Sequence, residues 1–320
     1  GKIREIGASN ISPERLQESL DFSTREGLAK YGQAAPSCPR PAATPVRSAG
    51  DPVTRTAPPL LHHRLDGPED APPLVLGPSL GTSLAVWEPQ LTELARTHRV
   101  LRFDLPGHGS APAGLLPDPT PGATTVADLA RLVLDLADHH GWRTFHYAGI
   151  SLGGAIGARL AVDHADRLAS LAMICSAARF GEPAGWRERA ATVRAHGTAA
   201  VLQATPGRWF ADPGTATGPR GTALLGDLSA ADPAGYAACC DGLAGYDVRA
   251  ALWSVTARTL VIAGRQDPAT PPALAREIAD GVPGAALVEV TGAAHLAGVE
   301  RPDAVNAALR VHLDAATAGR

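Results

Sequence analysis

The chain has 320 residues, of which 45% are hydrophobic, and a formal net charge of −3 at pH 7. This composition is ample for a sizeable core, and the weak negative charge argues against a polyanion such as nucleic acid as a partner. No apolar run approaches the ~20 residues that a membrane helix needs, and the first residues show no signal-peptide pattern. The cysteines lack the spacing of metal ligands, so we expect no metal site and predict a reducing, cytoplasmic location. They are Cys38, Cys175, Cys239 and Cys240.

The first 58 residues differ in composition from the rest. Both lysines of the chain, Lys2 and Lys30, lie here, so the later residues hold no lysine for a Schiff base or a phosphate loop. Residues 34–58 are rich in alanine and proline, which predicts a linker.

Residues 1–33 resemble one strand and one helix of an aldo-keto reductase barrel. The helix is predicted to begin with Ser12 at the N-cap and Pro13 at its first position. One such unit cannot close an eight-stranded barrel, so we expect no reductase activity. Residual NADPH binding by this segment stays open as an alternative.

Short apolar segments predict the first strands of a core at residues 59–178. Leu60–Leu65 and Pro73–Leu76, joined by residues 66–68, predict an antiparallel hairpin at a sheet edge. Farther along, residues 102–110 predict a strand followed by a tight turn. Its His108 is expected to be structural rather than part of a second acid–base pair.

The segment Gly149-Ile150-Ser151-Leu152-Gly153 is a Gly-x-Ser-x-Gly nucleophile elbow. An apolar strand pattern precedes it and a small-residue helix pattern follows it. A serine hydroxyl needs an exposed position, a base and nearby N–H donors to become a nucleophile. Ser151 is therefore the candidate nucleophile. The backbone N–H groups of Leu80, in the loop after residues 73–76, and of Leu152 are the candidate oxyanion-hole donors.

An elbow of this kind predicts an acid and then a histidine later in the chain. Asp267 follows a buried-strand pattern at residues 259–263, and His295 follows the next strand pattern at residues 286–290. Polar residues after parallel strands gather at one edge of the sheet. We predict that His295 takes the Ser151 proton and that Asp267 orients the imidazole.

Helix-like patterns at residues 179–250 predict a cap between two parts of a core, 59–178 and 251–320. The cap contributes three candidate pocket residues, Trp186, Arg189 and Trp209. A cap arginine that faces the pocket would suit a small acid. For any single arginine the alternative is a solvated helix face, and for Trp209 it is the core.

Residues from about 60 to 313 resemble α/β-hydrolases and, more narrowly, 3-oxoadipate enol-lactonases. The narrow resemblance rests on a set of phrases spread along the chain. They are Ser79-Leu80-Gly81-Thr82-Ser83-Leu84, Trp87-Glu88-Pro89-Gln90, Tyr236-Ala237-Ala238-Cys239-Cys240, Gly264-Arg265-Gln266-Asp267-Pro268 and Ala293-Ala294-His295-Leu296. One departure is Pro78, where these lactonases usually carry asparagine.

The resemblance implies an α/β fold with a mostly parallel sheet, flanking helices and a helical cap. It implies a carboxylic ester hydrolase that opens a small lactone bearing a carboxylate, in the β-ketoadipate route of aromatic catabolism, without cofactor or metal. It also matches Trp186 and Arg189 to a Trp-x-x-Arg in the first cap helix. The alternatives are a carboxylesterase or cofactor-free haloperoxidase of the same fold, and a non-catalytic scaffold that binds a partner.

Overall fold

The computed structural model describes residues 59–118 and 120–318. The reductase-like segment and the linker predicted for residues 1–58 lie outside the described residues, and both stay predictions.

Seven strands form one sheet within the described residues, in the order β1-β3-β2-β4-β5-β6-β7. Every neighbouring pair is parallel except β1 with β3. The strands are β1 His63–Asp66, β2 Pro73–Gly77, β3 Arg99–Phe103, β4 Phe145–Ile150, β5 Leu168–Ile174, β6 Arg258–Gly264 and β7 Ala286–Val290. The predicted α/β class with a mostly parallel sheet is confirmed.

The predicted hairpin between the first two strands is wrong. β1 lies at the sheet edge, as expected, but it pairs with β3, with His63 opposite Phe103 and Asp66 opposite Val100. β2 has no free edge for it, because β3 and β4 pair in parallel with its two sides. An ion pair between the buried Arg102 and Asp66, 3.0 Å long, reinforces the observed pairing.

Helices connect the strands and flank the sheet. The α-helices are α1 Glu88–Leu94, α2 Val126–His139, α3 Leu152–Asp163, α4 Pro183–His196, α5 Ala199–Leu202, α6 Pro206–Trp209, α7 Pro213–Thr217, α8 Pro219–Ala230, α9 Pro233–Ala244, α10 Pro272–Gly281, α11 Ala297–Glu300 and α12 Pro302–Ala318. Short 3₁₀ helices lie at Leu84–Trp87, Ala113–Leu115, Ala165–Arg167 and Arg249–Ser254.

The central strands and their helices follow from local sequence. All six residues of β4 are buried, as expected for a central parallel strand covered on both faces. α2 begins at a capping box, in which Thr125 and Asp128 each bond the other's backbone N–H. α3 is rich in alanine and glycine, which allows it to pack closely against β2, β4 and β5.

Helices α4 to α9 follow β5 in the chain and precede β6, and they form the predicted cap. Two of its long helices, α4 and α9, pack against each other, and α9 carries the buried Cys239 and Cys240. The cap is tied to the core at Asp241, whose carboxylate accepts from the Gly122 N–H at 2.9 Å and pairs with Arg194. Asp232 also donates its backbone N–H to Gly107 O at 2.8 Å. These bonds hold the cap over the carboxyl ends of the strands.

Within residues 59–118 and 120–318, no helix is long and apolar enough to cross a bilayer.

Candidate active site

Ser151 occupies a strained turn between β4 and α3. Its φ of 55° and ψ of −112° lie in a region that L-residues rarely adopt. The turn is held by hydrogen bonds on both sides of the residue. Ser151 N–H donates to Ile174 O at 2.9 Å, and Ser176 Oγ donates to Ser151 O at 2.8 Å. The predicted elbow is thus a sharp strand-to-helix turn that places the serine at the carboxyl end of the central strand β4.

The glycines of the elbow make this turn sterically possible. A Cβ on Gly149 would lie 2.2 Å from the carbonyl of Gly153, and one on Gly153 would lie 2.3 Å from Gly77 O. Both contacts are with backbone atoms, which cannot rotate away. Tyr147 Oη donates to Gly153 O at 2.9 Å and closes the same turn from below.

Asp267 and His295 lie on the loops after β6 and β7 and contact each other directly. His295 Nδ1 lies 2.8 Å from Asp267 Oδ2, and both residues are buried. The remaining acceptor sites of Asp267 are also used. Its Oδ1 accepts from the Ala269 and Thr270 N–H groups at 2.7 and 3.0 Å, and its Oδ2 accepts from Thr270 Oγ1 at 2.6 Å. The carboxylate is therefore held in one orientation toward the imidazole.

The surroundings of Asp267 favour its ionised form. Burial alone would raise the pKa of Asp267, but the charge of His295 and the hydrogen bonds from His295 and Thr270 lower the pKa below its usual value. An ionised carboxylate can only accept a hydrogen bond, so His295 must donate from Nδ1. A neutral His295 consequently has its lone pair on Nε2, the nitrogen that a general base uses.

The loop after β2 lies beside the elbow. Gly153 N–H donates to Pro78 O at 3.1 Å, which joins the loop to the start of α3. Among the described residues, no acceptor bonds the Leu80 N–H. Leu152 is the first residue of α3, and N–H groups in the first turn of a helix have no intrahelical acceptor. Both predicted oxyanion donors therefore have an N–H available.

One cleft brings most of the predicted residues together. Its inner chamber, of about 40 Å³, is lined by Ser151, His295 and Leu80 together with the cap residues Trp186, Arg189 and Trp209. Asp267 lies behind His295, and Leu152 is buried at the start of α3. The inner chamber opens into an outer vestibule of about 280 Å³, and the two share Phe180, Trp186, Arg189, Arg208 and Ala269.

Arg189 is held by aromatic neighbours. Its Nε donates to Tyr236 Oη at 3.0 Å, and Nη2 donates to the same oxygen. Its guanidinium carbon lies 5.7 Å from the ring centre of Trp186 and 5.6 Å from that of Tyr236, within the range of cation–π contact. Within the described part of the chain, Arg189 forms no ion pair with an acid. Its guanidinium lines the cleft.

Arg208, which the sequence analysis missed, lines both parts of the cleft. Its side chain is exposed to the vestibule, but partial desolvation by the walls and the nearby Arg189 lower its pKa. No described residue accepts a hydrogen bond from its guanidinium. The only feature of the sequence that pointed to Arg208 as a cleft residue was its position next to Trp209. Both residues lie on the short helix α6.

Two further wall residues were also missed. Phe180 lines both chambers and accepts on its carbonyl oxygen from Trp186 Nε1 at 2.6 Å. Thr270 contacts Asp267 and lies 3.3 Å from His295 Nδ1 through Oγ1. Thr270 is three positions after Asp267 in the chain. An aspartate side chain often accepts from backbone N–H groups just after it in a turn, and this pattern could have indicated the contact.

His108 has a structural environment, in agreement with the prediction. It is buried, it lies 3.0 Å from Pro106 O through Nδ1, and its ring stacks on Tyr236 at 5.9 Å. Burial lowers the pKa of His108 to about 4.

Two protein families match this chain. The family described as alpha/beta hydrolase fold matches residues 72–196, and the family described as TAP-like protein matches residues 236–319. The first match contains the elbow, and the second contains Asp267 and His295.

Individual relatives cover most of the chain. The 3-oxoadipate enol-lactonase 2 of Acinetobacter baylyi is 33% identical over 250 residues, covering 78% of this chain and 91% of that protein. A candidate carbamate hydrolase, RutD, from Variovorax paradoxus is 30% identical over 230 residues, covering 69% and 84%. The crystal structure of the enol-lactonase from Burkholderia xenovorans LB400 superposes with a TM-score of 0.74 at 36% identity, covering 79% of this chain and 96% of that one. The chain belongs to the α/β-hydrolase family, as a relative of the 3-oxoadipate enol-lactonases.

Proposed function

We propose that this protein hydrolyses a small carboxylate-bearing lactone, 3-oxoadipate enol-lactone, through an acyl-enzyme on Ser151. One observation carries the proposal. The chamber that holds Ser151 and His295 is also lined by Arg189 and Arg208, and neither arginine has an acidic partner among the described residues. A chamber lined by a nucleophile and by guanidinium groups that lack an acidic partner suits an ester-type substrate that is also an anion.

The shared chamber of Ser151 and His295 supports the following acylation step. Ser151 Oγ attacks the lactone carbonyl carbon while its proton passes to His295 Nε2. The developing oxyanion accepts from the Leu80 and Leu152 N–H groups. When the intermediate collapses, the bond from the acyl carbon to the ring oxygen breaks, and His295 returns the proton to that oxygen. The leaving group is an enol that becomes a ketone and stays attached to the acyl chain, because the substrate is a ring.

Deacylation repeats the same exchange with water. His295 accepts a proton from water, the resulting hydroxide attacks the acyl carbon, and Ser151 leaves with the returned proton. The product carries the original carboxylate and a new one, as 3-oxoadipate does. Asp267 keeps His295 in the required tautomer in both steps and stabilises the imidazolium.

The cap supplies the binding of the substrate carboxylate. Tyr236 and Trp186 hold Arg189 at the wall of the cleft, so that binding an anion there costs little side-chain ordering. Trp186 and Trp209 form apolar walls beside it. The names of the enol-lactonase relatives support this substrate. The proposed reaction is a step of the β-ketoadipate route of aromatic catabolism.

A second candidate function is carbamate hydrolysis. The RutD relative, at 30% identity over 230 residues, favours it. A carbamate is also an anion that could contact the cleft arginines. It is smaller than the enol-lactone and would leave the vestibule largely unused.

The test follows loss of the ultraviolet absorbance of 3-oxoadipate enol-lactone with the parent chain, Ser151→Ala and Ser110→Ala. Ser110 is exposed, and its variant is the matched control. We expect rapid turnover by the parent and the control, with a loss of roughly 10⁵–10⁶-fold in kcat for Ser151→Ala. A parent chain that releases ammonia from carbamate but leaves the lactone intact would instead establish the second candidate. Turnover of simple p-nitrophenyl esters alone would indicate a general carboxylesterase.

A further inference from the structure

Glu300 is a buried carboxylate at the end of α11, five residues after His295. Its Oε1 accepts from the backbone N–H groups of Ala211 and Asp212 at 2.8 and 3.0 Å. Its Oε2 accepts from the Ala294 N–H at 2.7 Å. No described basic side chain pairs with this carboxylate. Three charge-assisted hydrogen bonds therefore offset the cost of burying it.

These bonds join two loops that belong to different parts of the site. Ala294 immediately precedes His295, on the loop that carries the base. Ala211 and Asp212 follow the cap segment that carries Arg208 and Trp209. A second bond joins the same loops, because Leu296 N–H donates to Trp209 O at 3.0 Å. The cap wall and the histidine loop are thus connected at two points close to the chamber.

We propose that Glu300 is a positioning residue. It sets the distance between the cap segment that carries Arg208 and Trp209 and the reacting groups Ser151 and His295. The inference rests on the proposed function, in which the substrate carboxylate contacts Arg189 and Arg208 and the lactone carbonyl contacts Ser151. A substrate held at two ends reacts only if the two contacts have the right separation. A displacement of about 1 Å can lower the rate by roughly 10²-fold.

The chemistry of the bridge requires a carboxylate of this length. Both oxygens are used as acceptors, one toward each loop. In Glu300→Gln the amide keeps a single acceptor oxygen, and its NH₂ group faces an N–H donor on the other side. One of the two loops therefore loses its hydrogen bond to residue 300, although the side chain keeps its shape.

The experiment measures kcat/KM for the full parent chain, Glu300→Gln and Asp303→Asn on two substrate pairs. One pair is the enol-lactone and its neutral methyl ester, and the other is p-nitrophenyl hydrogen succinate and p-nitrophenyl butyrate. Asp303 is an exposed acid near Glu300 at the start of α12, and its variant is the matched control for lost charge. We expect the preference for the anionic member to fall roughly 10-fold in Glu300→Gln. Asp303→Asn should keep the parent's preference.

A purely structural role gives a different result. An equal loss of kcat/KM in Glu300→Gln on the anionic and the neutral member of each pair would overturn the inference. An unchanged preference for the anionic member would overturn it too. A parent chain with no preference for either anion would also overturn it. Failure of the parent on the lactone alone rejects the proposed substrate, while the succinate pair still tests Glu300.

Hydrogen exchange followed by NMR supplies a test that does not depend on turnover. In the parent we expect protected amides at Ala211, Asp212 and Ala294, since each donates to Glu300. In Glu300→Gln at least one loop should lose that protection. If the variant does not fold, fast exchange of these amides in the folded parent would be enough to refute the bridge.

Discussion

The imidazole of His295 and the carboxylate of Asp267 lie 2.8 Å apart, Nδ1 to Oδ2, although the two residues are 28 positions apart in the chain. The Asp267→Asn variant keeps the size of the side chain but can donate a proton toward Nδ1. This favours the His295 tautomer whose Nε2 carries the proton and cannot act as a base. We expect kcat to fall by roughly 10³–10⁴-fold while the fold is retained.

Steady-state kinetics at neutral pH checks this expectation, with Asp280→Asn as the control. Asp280 is an exposed acid on α10, the helix that follows the Asp267 loop. Near-parental activity in Asp267→Asn would show that His295 does not need this partner.

Arg208 provides a test of anion recognition in the vestibule. In Arg208→Ala the guanidinium that faces the cleft is lost, so KM for the carboxylate-bearing lactone should rise by roughly 10–100-fold, the worth of hydrogen bonds to a charged group. The neutral methyl ester should be turned over as before. Arg187→Ala, which removes an exposed arginine from α4, is the control and should leave both substrates unaffected. A similar rise in KM for the ester would mean that Arg208 shapes the cleft rather than binding the anion.

Gly153 tests the steric argument for the elbow. A Cβ at this position would lie 2.3 Å from O of Gly77, the last residue of β2, and 2.8 Å from O of Pro78, the first residue of the candidate oxyanion loop. We expect Gly153→Ala to lower the free energy of unfolding by about 1–3 kcal/mol and to reduce kcat, because the loop must move away. Gly226→Ala in α8 meets no atom within 4 Å and should stabilise the chain by roughly 0.5–1 kcal/mol. Urea unfolding of both variants measures the contrast, and equal stabilities would contradict the close approach.

Two buried histidines should lower the free energy of unfolding in mild acid. Burial lowers the pKa of His108 and of His312 to about 4, against 6.5 for an unperturbed histidine. Between these pH values the unfolded chain binds more protons than the folded one, so the free energy of unfolding should be highest above pH 6.5 and fall as the pH drops toward 4. In His108→Asn the slope of this decline should be smaller, because one of the titrating groups is gone. Urea unfolding at several pH values measures both slopes, and identical slopes would show that His108 does not contribute.

Short-range patterns were enough to predict the turn at Ser151 and the strands that precede Asp267 and His295. The glycines around Ser151 specify a turn that few other residues permit, and the strand patterns before Asp267 and His295 place both residues at the same sheet edge. These signals are local, since turn geometry and alternation of burial depend on neighbouring residues. In the structure Ser151 and His295 line one chamber, and Asp267 contacts His295.

Pairings between distant segments could not be predicted in the same way. β1 was expected beside β2, the strand that follows it, yet β3 and β4 occupy both edges of β2 and leave β1 to pair with β3. Arg208 carried no distinctive pattern, because a four-residue helix has too little periodicity to show which face meets the cleft. The role inferred for Glu300 depends on two loops more than 80 residues apart, joined by its carboxylate. Local sequence determines where turns, strands and helices form. Which strands pair and which loops contact each other depends on all segments of the chain together, because each strand edge and each buried position can be taken by only one of them.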